Sequence, residues 1–495
     1  MSKFTLQPYV RRACIIGIVS LFLGCSKDKV LTITDPDIVY PGNLGSIQSA
    51  EALRIGALGR LSDITGGLQG SGSLNEGIFH FSGALADEWR STDTFVQRDE
   101  VDSRAITLTN SAMTLEARGL QRTRFQALLA IPQIRQYSPT SVSDVGQMFW
   151  VRGWAEMTIA ENFCNGMPIS FVDSANNILY GDPETNVQIY NRALKSFDSA
   201  TANTATGVAR GDTVKWMAAI EKGRVLLDLG DFVQAGAVVT AAAVPDNFRF
   251  TMSYSQTILD NQIWALNNSA GRWMPAQNEG PLGLNPQTAN DPRVPICIGG
   301  SATCKLFDPG QTRANSFDQR FGSGSFLVQL NWPTRDADID IVMGTEARLI
   351  EAESALRQGN TTTFLAKLNF LRANFPTFKQ TSNPCSATVQ VTGCPTVPLL
   401  TGSLPPLTLP TTQAAREDLL FRERAFWLWS TAHRLADMRR LVRPVSEGGF
   451  ARDENTIFPN GPYYKGGLYG TDKFLIVPVA EQNNPKYQGC LDRKA

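Results

Sequence analysis

Histidine is nearly absent from this chain: its 495 residues hold two, His80 and His433. Neither neighbours a cysteine or the other histidine, and no C-x-x-C pair occurs, so the usual zinc-ligand patterns are excluded. There is no G-x-S-x-G, no H-E-x-x-H and no Walker A pattern, which removes the common signatures of hydrolytic and phosphoryl-transfer chemistry. Net charge is absent as well, 46 basic residues standing against 46 acidic, so nothing draws the chain to nucleic acid. After residue 24 no apolar run approaches the ~20 residues that a membrane-spanning helix needs. With 42% hydrophobic and 19% charged residues, there is ample material for a globular core.

The first 27 residues carry the clearest local pattern. Lys3, Arg11 and Arg12 form a basic start, Ala13 to Gly24 a short apolar run, and Gly24 precedes Cys25. The stretch resembles a bacterial lipoprotein signal, in which a small residue permits cleavage and the following cysteine thiol takes lipid such as palmitate. Residues 1–24 are therefore expected to be a signal peptide, Cys25 the lipid attachment and residues 25–40 a tether. Two or more acyl chains anchor stably where one is marginal. Losing Lys3, Arg11 and Arg12 leaves 43 basic residues against 46 acidic ones, a net charge of −3. Ser26-Lys27-Asp28-Lys29 is similar to the charged tag of surface-exposed lipoproteins, which places the chain on the outer membrane, facing outward.

Beside Cys14 in the signal and Cys25 at the anchor, six cysteines remain, an even number in an oxidising compartment. Cys297 with Cys304, and Cys385 with Cys394, are close pairs in loop-like sequence and are the expected disulfides. Other connectivities, or buried free thiols, stay open.

From residue 41 to 495 the pattern predicts a single, mainly α domain. Apolar residues at helical spacing mark segments near 46–63, 115–136, 143–163, 187–200, 213–229, 232–243, 344–357, 362–373 and 412–442. Several pair across short turns, at Leu229-Gly230-Asp231 and Gln358-Gly359-Asn360, as in a tetratricopeptide-like stack of helical pairs. Two stretches, about 245–340 and 375–411, are rich in Pro, Gly, Asn and Thr and are expected as irregular loop excursions from that scaffold.

The order of these pieces resembles the SusD/RagB-like outer-membrane nutrient-binding lipoproteins. Trp150, Arg152 and Trp154 followed by Gly166 and Pro168 are similar to an arginine-and-aromatic helix ending in a Gly-x-Pro turn. Val214 to Ala235 looks like the family's helix pair, and Glu346 to Glu353 followed by Leu368 to Arg372 like the next. The most specific match is Arg422 to Arg440, with His433, Arg434, Asp437, Met438 and Arg440 in the family's order. Pro478, Glu481, Asn484 and Pro485 resemble its close.

That resemblance implies a surface lipoprotein that binds an oligosaccharide or a peptide without catalysis and passes it to a SusC-like, TonB-dependent outer-membrane channel. No cofactor, metal or nucleic acid is implied. Sugar capture requires aromatic faces for the C–H side of each ring, and amides, carboxylates or guanidinium groups for its hydroxyls. Trp89 and Phe95, then Trp264, Arg272 and Trp273, then Trp332, are the candidate ligand-binding residues, although a large aromatic is more often core. Arg434 and Asp437, three apart, are expected to pair within one helix, while Trp150 and Trp154 read as core. The alternatives are a helical-repeat assembly adaptor of the outer membrane and a surface glycosidase using a carboxylate pair such as Asp87 and Glu88. Asp336, Asp338 and Asp340 alternate as in a calcium loop, but Ile341 and Ala347 stand where that loop needs Gly and Glu.

Overall fold

The computed structural model describes residues 45–67, 76–172, 178–205, 207–257, 260–298, 326–378 and 402–495. The signal segment, Cys25, the tether, Cys304, Cys385 and Cys394 lie outside the described residues. By internal contact the chain divides into Met1–Ser49, of which only 45–49 are described, and Ala50–Ala495.

Twelve helices of seven or more residues can be followed through the described chain. They are α1 (Ile47–Gly66), α2 (Ile78–Leu85), α3 (Val96–Asp102), α4 (Ser111–Tyr137), α5 (Val142–Asn162), α6 (Asn186–Ala202), α7 (Ala209–Asp228), α8 (Phe232–Ala241), α9 (Gly344–Arg357), α10 (Thr361–Ala373), α11 (Gln413–Trp427) and α12 (Arg434–Val442). From α4 to α10 each helix packs on the next, which is the expected stack of helical pairs. Local chemistry sets the boundaries. Thr185 and Gln188 close a capping box on α6, and Asp231, Asn360 and Thr412 accept a hydrogen bond from the third residue beyond them. Gly230, at φ 80°, turns the chain between α7 and α8, and a Cβ there would lie 2.5 Å from Gly448 Cα. Both the backbone angle and the close approach require glycine.

Two segments depart from the sequence expectation. The run 412–442 is two helices rather than one, broken over Leu428–His433 where Ser430 (φ 58°) and Ala432 (φ 61°) adopt left-handed backbone. The break is held from outside: Ser430 N donates to Glu88 Oε1 at 2.8 Å, and Arg224 Nη2 donates to the Ala432 carbonyl at 3.1 Å. The excursion at 245–340 also has order of its own. Strand β1 (Trp89–Ser91) pairs antiparallel with β3 (Trp273–Pro275), β2 (Arg249–Met252) with β6 (Ile339–Met343), and β4 (Ile296–Ile298) with β5 (Leu327–Gln329).

The centre of the molecule is unusually ionic. Arg434 pairs with Asp87, Nε and Nη2 each donating at 2.7 Å across 347 residues of sequence. Asp437 instead accepts from Arg424 at 2.7 Å and Arg440 at 2.6 Å. The Arg434–Asp437 pair expected from spacing is therefore not formed, since each finds a fully buried partner on another element or further along the chain. Glu423 bridges to Arg293 and Arg372. Trp150 and Trp154 are buried, as expected. Cys164 and Cys490 form a disulfide across 326 residues, a pair that spacing did not reveal. Cys297 is disulfide-bonded as well.

Candidate functional site

Strand β1 and the turn after it create the most exposed aromatic feature near the candidate residues. The β1–β3 pairing sets Trp89 opposite Pro275 and Ser91 opposite Trp273. Thr92 extends it, its N–H donating to the Arg272 carbonyl at 2.9 Å and its hydroxyl to the Gly271 carbonyl at 2.7 Å. The chain then turns through Asp93 and Thr94, which brings Phe95 to the surface just before α3.

Phe95 is 49% exposed and has two guanidinium groups near it, Arg98 at 4.7 Å and Arg272 at 5.6 Å from its ring centre. Arg98 is buried and fixed on two sides, donating to Glu76 and Asp93. Burial opposes ionisation of Glu76, yet the Arg98 guanidinium and the Trp273 indole N–H, which donates at 3.0 Å, hold its carboxyl below the usual range. Asp93 is pushed up by burial against the pull of Arg98. Arg272 is partly exposed; its Nε sits 3.6 Å from Asp93 and makes no hydrogen bond. Lys465 closes the floor, donating to Asp93 O and Asp99 Oδ1, both at 2.5 Å, and to Ser91 Oγ at 3.2 Å. Beside it, the hydroxyls of Tyr463 and Tyr464 donate to Asp102, whose carboxyl burial raises to about 6.

An exposed ring, an adjoining guanidinium with free donors and a rigid charged floor suit a ligand with one apolar face and several hydroxyls or amides. Phe95 and Arg272 are thus brought together. Three other candidates are not part of this surface. Trp89, Trp273 and Trp332 are 0%, 0% and 6% exposed and belong to a buried aromatic column. Trp332 stacks on Trp429 at 6.0 Å, Trp429 meets Trp89 at 4.9 Å, and His80 lies 5.1 Å from Trp89 and 5.9 Å from Trp273. As placed, these indoles cannot offer a face to a ligand; their value is the area they bury. Trp264 is half-buried on the short helix Gln262–Trp264, whose first turn is capped by Asn261.

The sequence reading missed Asp93, Arg98 and Lys465. The usable signal was the tripeptide Tyr463-Tyr464-Lys465, an aromatic and basic cluster in a glycine-rich loop, together with the charges flanking Phe95. The carboxylates considered for hydrolysis are interior groups: Asp87 is engaged by Arg434, and Glu88, 1% exposed, is pushed up to about 8 by burial. Asp340 of the acidic alternation is held by Arg249 at 2.8 and 2.6 Å. Among the described residues, no group of three or more His, Cys, Asp or Glu could hold a metal ion, and no helix is long and apolar enough to cross a membrane.

No protein-family model and no curated protein matches the sequence. Solved structures do match the fold. A SusD superfamily protein from Bacteroides vulgatus shares 12% identity, with a TM-score of 0.61 over 90% of this chain and 99% of its own. One from Parabacteroides distasonis shares 11%, with a TM-score of 0.62 over 89% and 98%. The fold is SusD-like. A SusD-like carbohydrate binding protein from Bacteroides vulgatus is similar too, at 12% identity and a TM-score of 0.59 over 90% of this chain and 97% of its own. In the SusD-like frame the helical pairs α4 to α10 form the scaffold, and the β1–β3 pair with α3 displays Phe95.

Proposed function

We propose that this protein is a SusD/RagB-type nutrient-binding lipoprotein of the cell surface, which captures an oligosaccharide or peptide and delivers it unchanged to a TonB-dependent, SusC-like channel. The observation that carries the reading is the exposed Phe95 face, braced by Arg98 and Arg272, on a chain whose SusD-like fold extends over 90% of its length. The carbohydrate-binding description of one structural neighbour supports a glycan ligand over a protein-only adaptor role. The buried state of Asp87 and Glu88 supports capture over hydrolysis, because a glycosidase needs its acid and base in reach of substrate. Cys25 carries the lipid in this reading and the following residues hold the domain at the outer membrane.

The test is a glycan array and a peptide panel probed with the detergent-solubilised full chain, followed by mass spectrometry of any ligand recovered. The reading expects one ligand class bound and returned intact. Release of shortened sugar would replace it with a hydrolytic function, and a blank result on both panels would remove the stand-alone binding claim.

A further inference from the structure

On the outside of the helical scaffold, α1 and α4 carry arginines that the surrounding residues do not neutralise. The two helices run antiparallel. The Thr123 hydroxyl donates to the Arg60 carbonyl at 3.2 Å, a Cβ on Gly56 would lie 3.2 Å from Gln126 Nε2, and one on Gly119 would lie 2.6 Å from Ile64 Cδ1. Arg118 and Arg122 are one turn apart on α4 and both are exposed, while Arg60 approaches them from α1. Partial burial, followed by the positive charges of Arg60 and Arg118, holds the Arg122 pKa below its ordinary value, so the three guanidinium groups are close enough to repel one another.

Acid to offset them is scarce. Among the described residues, Arg118 and Arg122 make no ion pair or hydrogen bond, and Arg60 meets only Asp63, at 3.5 Å. Arg54 shows the contrast: Glu51 accepts from its Nε at 2.8 Å and from its Nη2 at 2.6 Å. Like charges four apart on a helix are destabilising, so an unneutralised trio suits a negative partner.

Apolar groups adjoin the arginines. Ile55 is 56% exposed on α1, Leu129 is 39% exposed on α4, and Phe125 is half-buried. At helical spacing Arg118, Arg122, Phe125 and Leu129 form one row along α4, and the approach of Gly56 to Gln126 sets Ile55 beside the apolar end of that row. A helix face that is basic at one end and apolar at the other is suited to the headgroup level of a membrane. A free phosphate would answer the arginines and leave the apolar residues in water.

The length of the chain favours a lipid layer over an acidic protein. In the reading proposed above, on which this inference rests, Cys25 holds the lipid, and the residues between it and Ile47 span at most about 70 Å. Arg60 lies about 20 Å further along α1. The layer is therefore always within reach of this face, whereas a second protein has to be met by diffusion.

We propose that the α1–α4 face is a docking surface for anionic lipid headgroups, against which Arg60, Arg118 and Arg122 seat the domain. The test mixes the full chain, purified from membranes, with an excess of vesicles of phosphatidylcholine alone or with about one-third phosphatidylglycerol. Phenylglyoxal then modifies accessible arginines, which are read by mass spectrometry. Arg118 and Arg122 should react at least fivefold more slowly on the anionic vesicles, and that protection should vanish at about 1 M salt. Arg422, exposed on α11, should react alike on both. R118Q/R122Q should abolish the protection of Arg60. Equal reaction of Arg118 and Arg122 on the two vesicles, or equal protection of Arg422, would overturn the proposal and leave the face to an acidic protein partner. Flotation with the neutral vesicles reads the Cys25 anchor separately: a chain that stays behind loses the anchor reading, while the arginine comparison stands or falls by itself.

Discussion

Glu88→Gln tests the ionic interior with a single atom exchanged. Glu88 is 1% exposed; its Oε1 accepts from Ser430 N at 2.8 Å and its Oε2 has no partner. Burial moves its pKa from an ordinary 4.5 to about 8. Folded-state pKa above unfolded-state pKa means that the native protein holds a proton which the unfolded chain releases between those values. Stability from this group is therefore complete below pH 4.5 and is lost as pH rises toward 8, at up to about 1.4 kcal/mol per pH unit. Between pH 5 and pH 7.5 the loss amounts to about 3 kcal/mol. At roughly 2 cal/mol/K of unfolding entropy per residue, a domain of this size shifts by about 1 °C per kcal/mol. Gln cannot ionise, so the melting temperature of E88Q relative to the wild type should climb by about 3 °C from pH 5 to pH 7.5. Differential scanning calorimetry of both proteins across that range is the assay. A difference that stays flat with pH would refute the assignment of Glu88 as a neutral, buried acid.

Three further outcomes follow from the packing. Asp87→Ala leaves Arg434 buried and unpaired, and should cost about 3 to 5 kcal/mol in denaturant unfolding, whereas joint replacement of Asp87 and Arg434 by apolar residues should recover much of that loss. Reducing Cys164–Cys490, or replacing Cys164 by Ser, should lower stability by about 2 to 5 kcal/mol, read as a melting shift that appears only under reductant in the wild type. Trp89→Ala should destabilise by about 3 to 5 kcal/mol because it opens the aromatic column, with the cost visible in melting before any effect on binding is considered.

The helical scaffold was legible because its determinants are local. Caps such as Thr185 and Asp231 and turns such as Gly230 and Gly359 announce themselves in sequence, and apolar spacing does the rest. The interior ion pairs were not legible. Arg434 finds Asp87 from 347 residues away, and the closer Asp437 is claimed by Arg424 and Arg440, a competition that spacing alone cannot resolve. The same long range hid Cys164 and Cys490 behind closer cysteine pairs. For the site, aromatic identity gave a set of rings, and burial divided it. Trp89, Trp273 and Trp332 went to the core column because indole area is worth most inside, whereas Phe95 stayed out on a turn fixed by Asp93 and Arg98.

The most direct measurement of the central claim is the affinity of the best array ligand for wild type and F95A, by calorimetry, with melting temperatures taken alongside. Phe95 is half-exposed, so its truncation should leave melting nearly unchanged and weaken binding at least tenfold, about 1.4 kcal/mol or more. An F95A protein that binds the ligand as tightly as wild type would contradict the account and move the capture site elsewhere on the molecule.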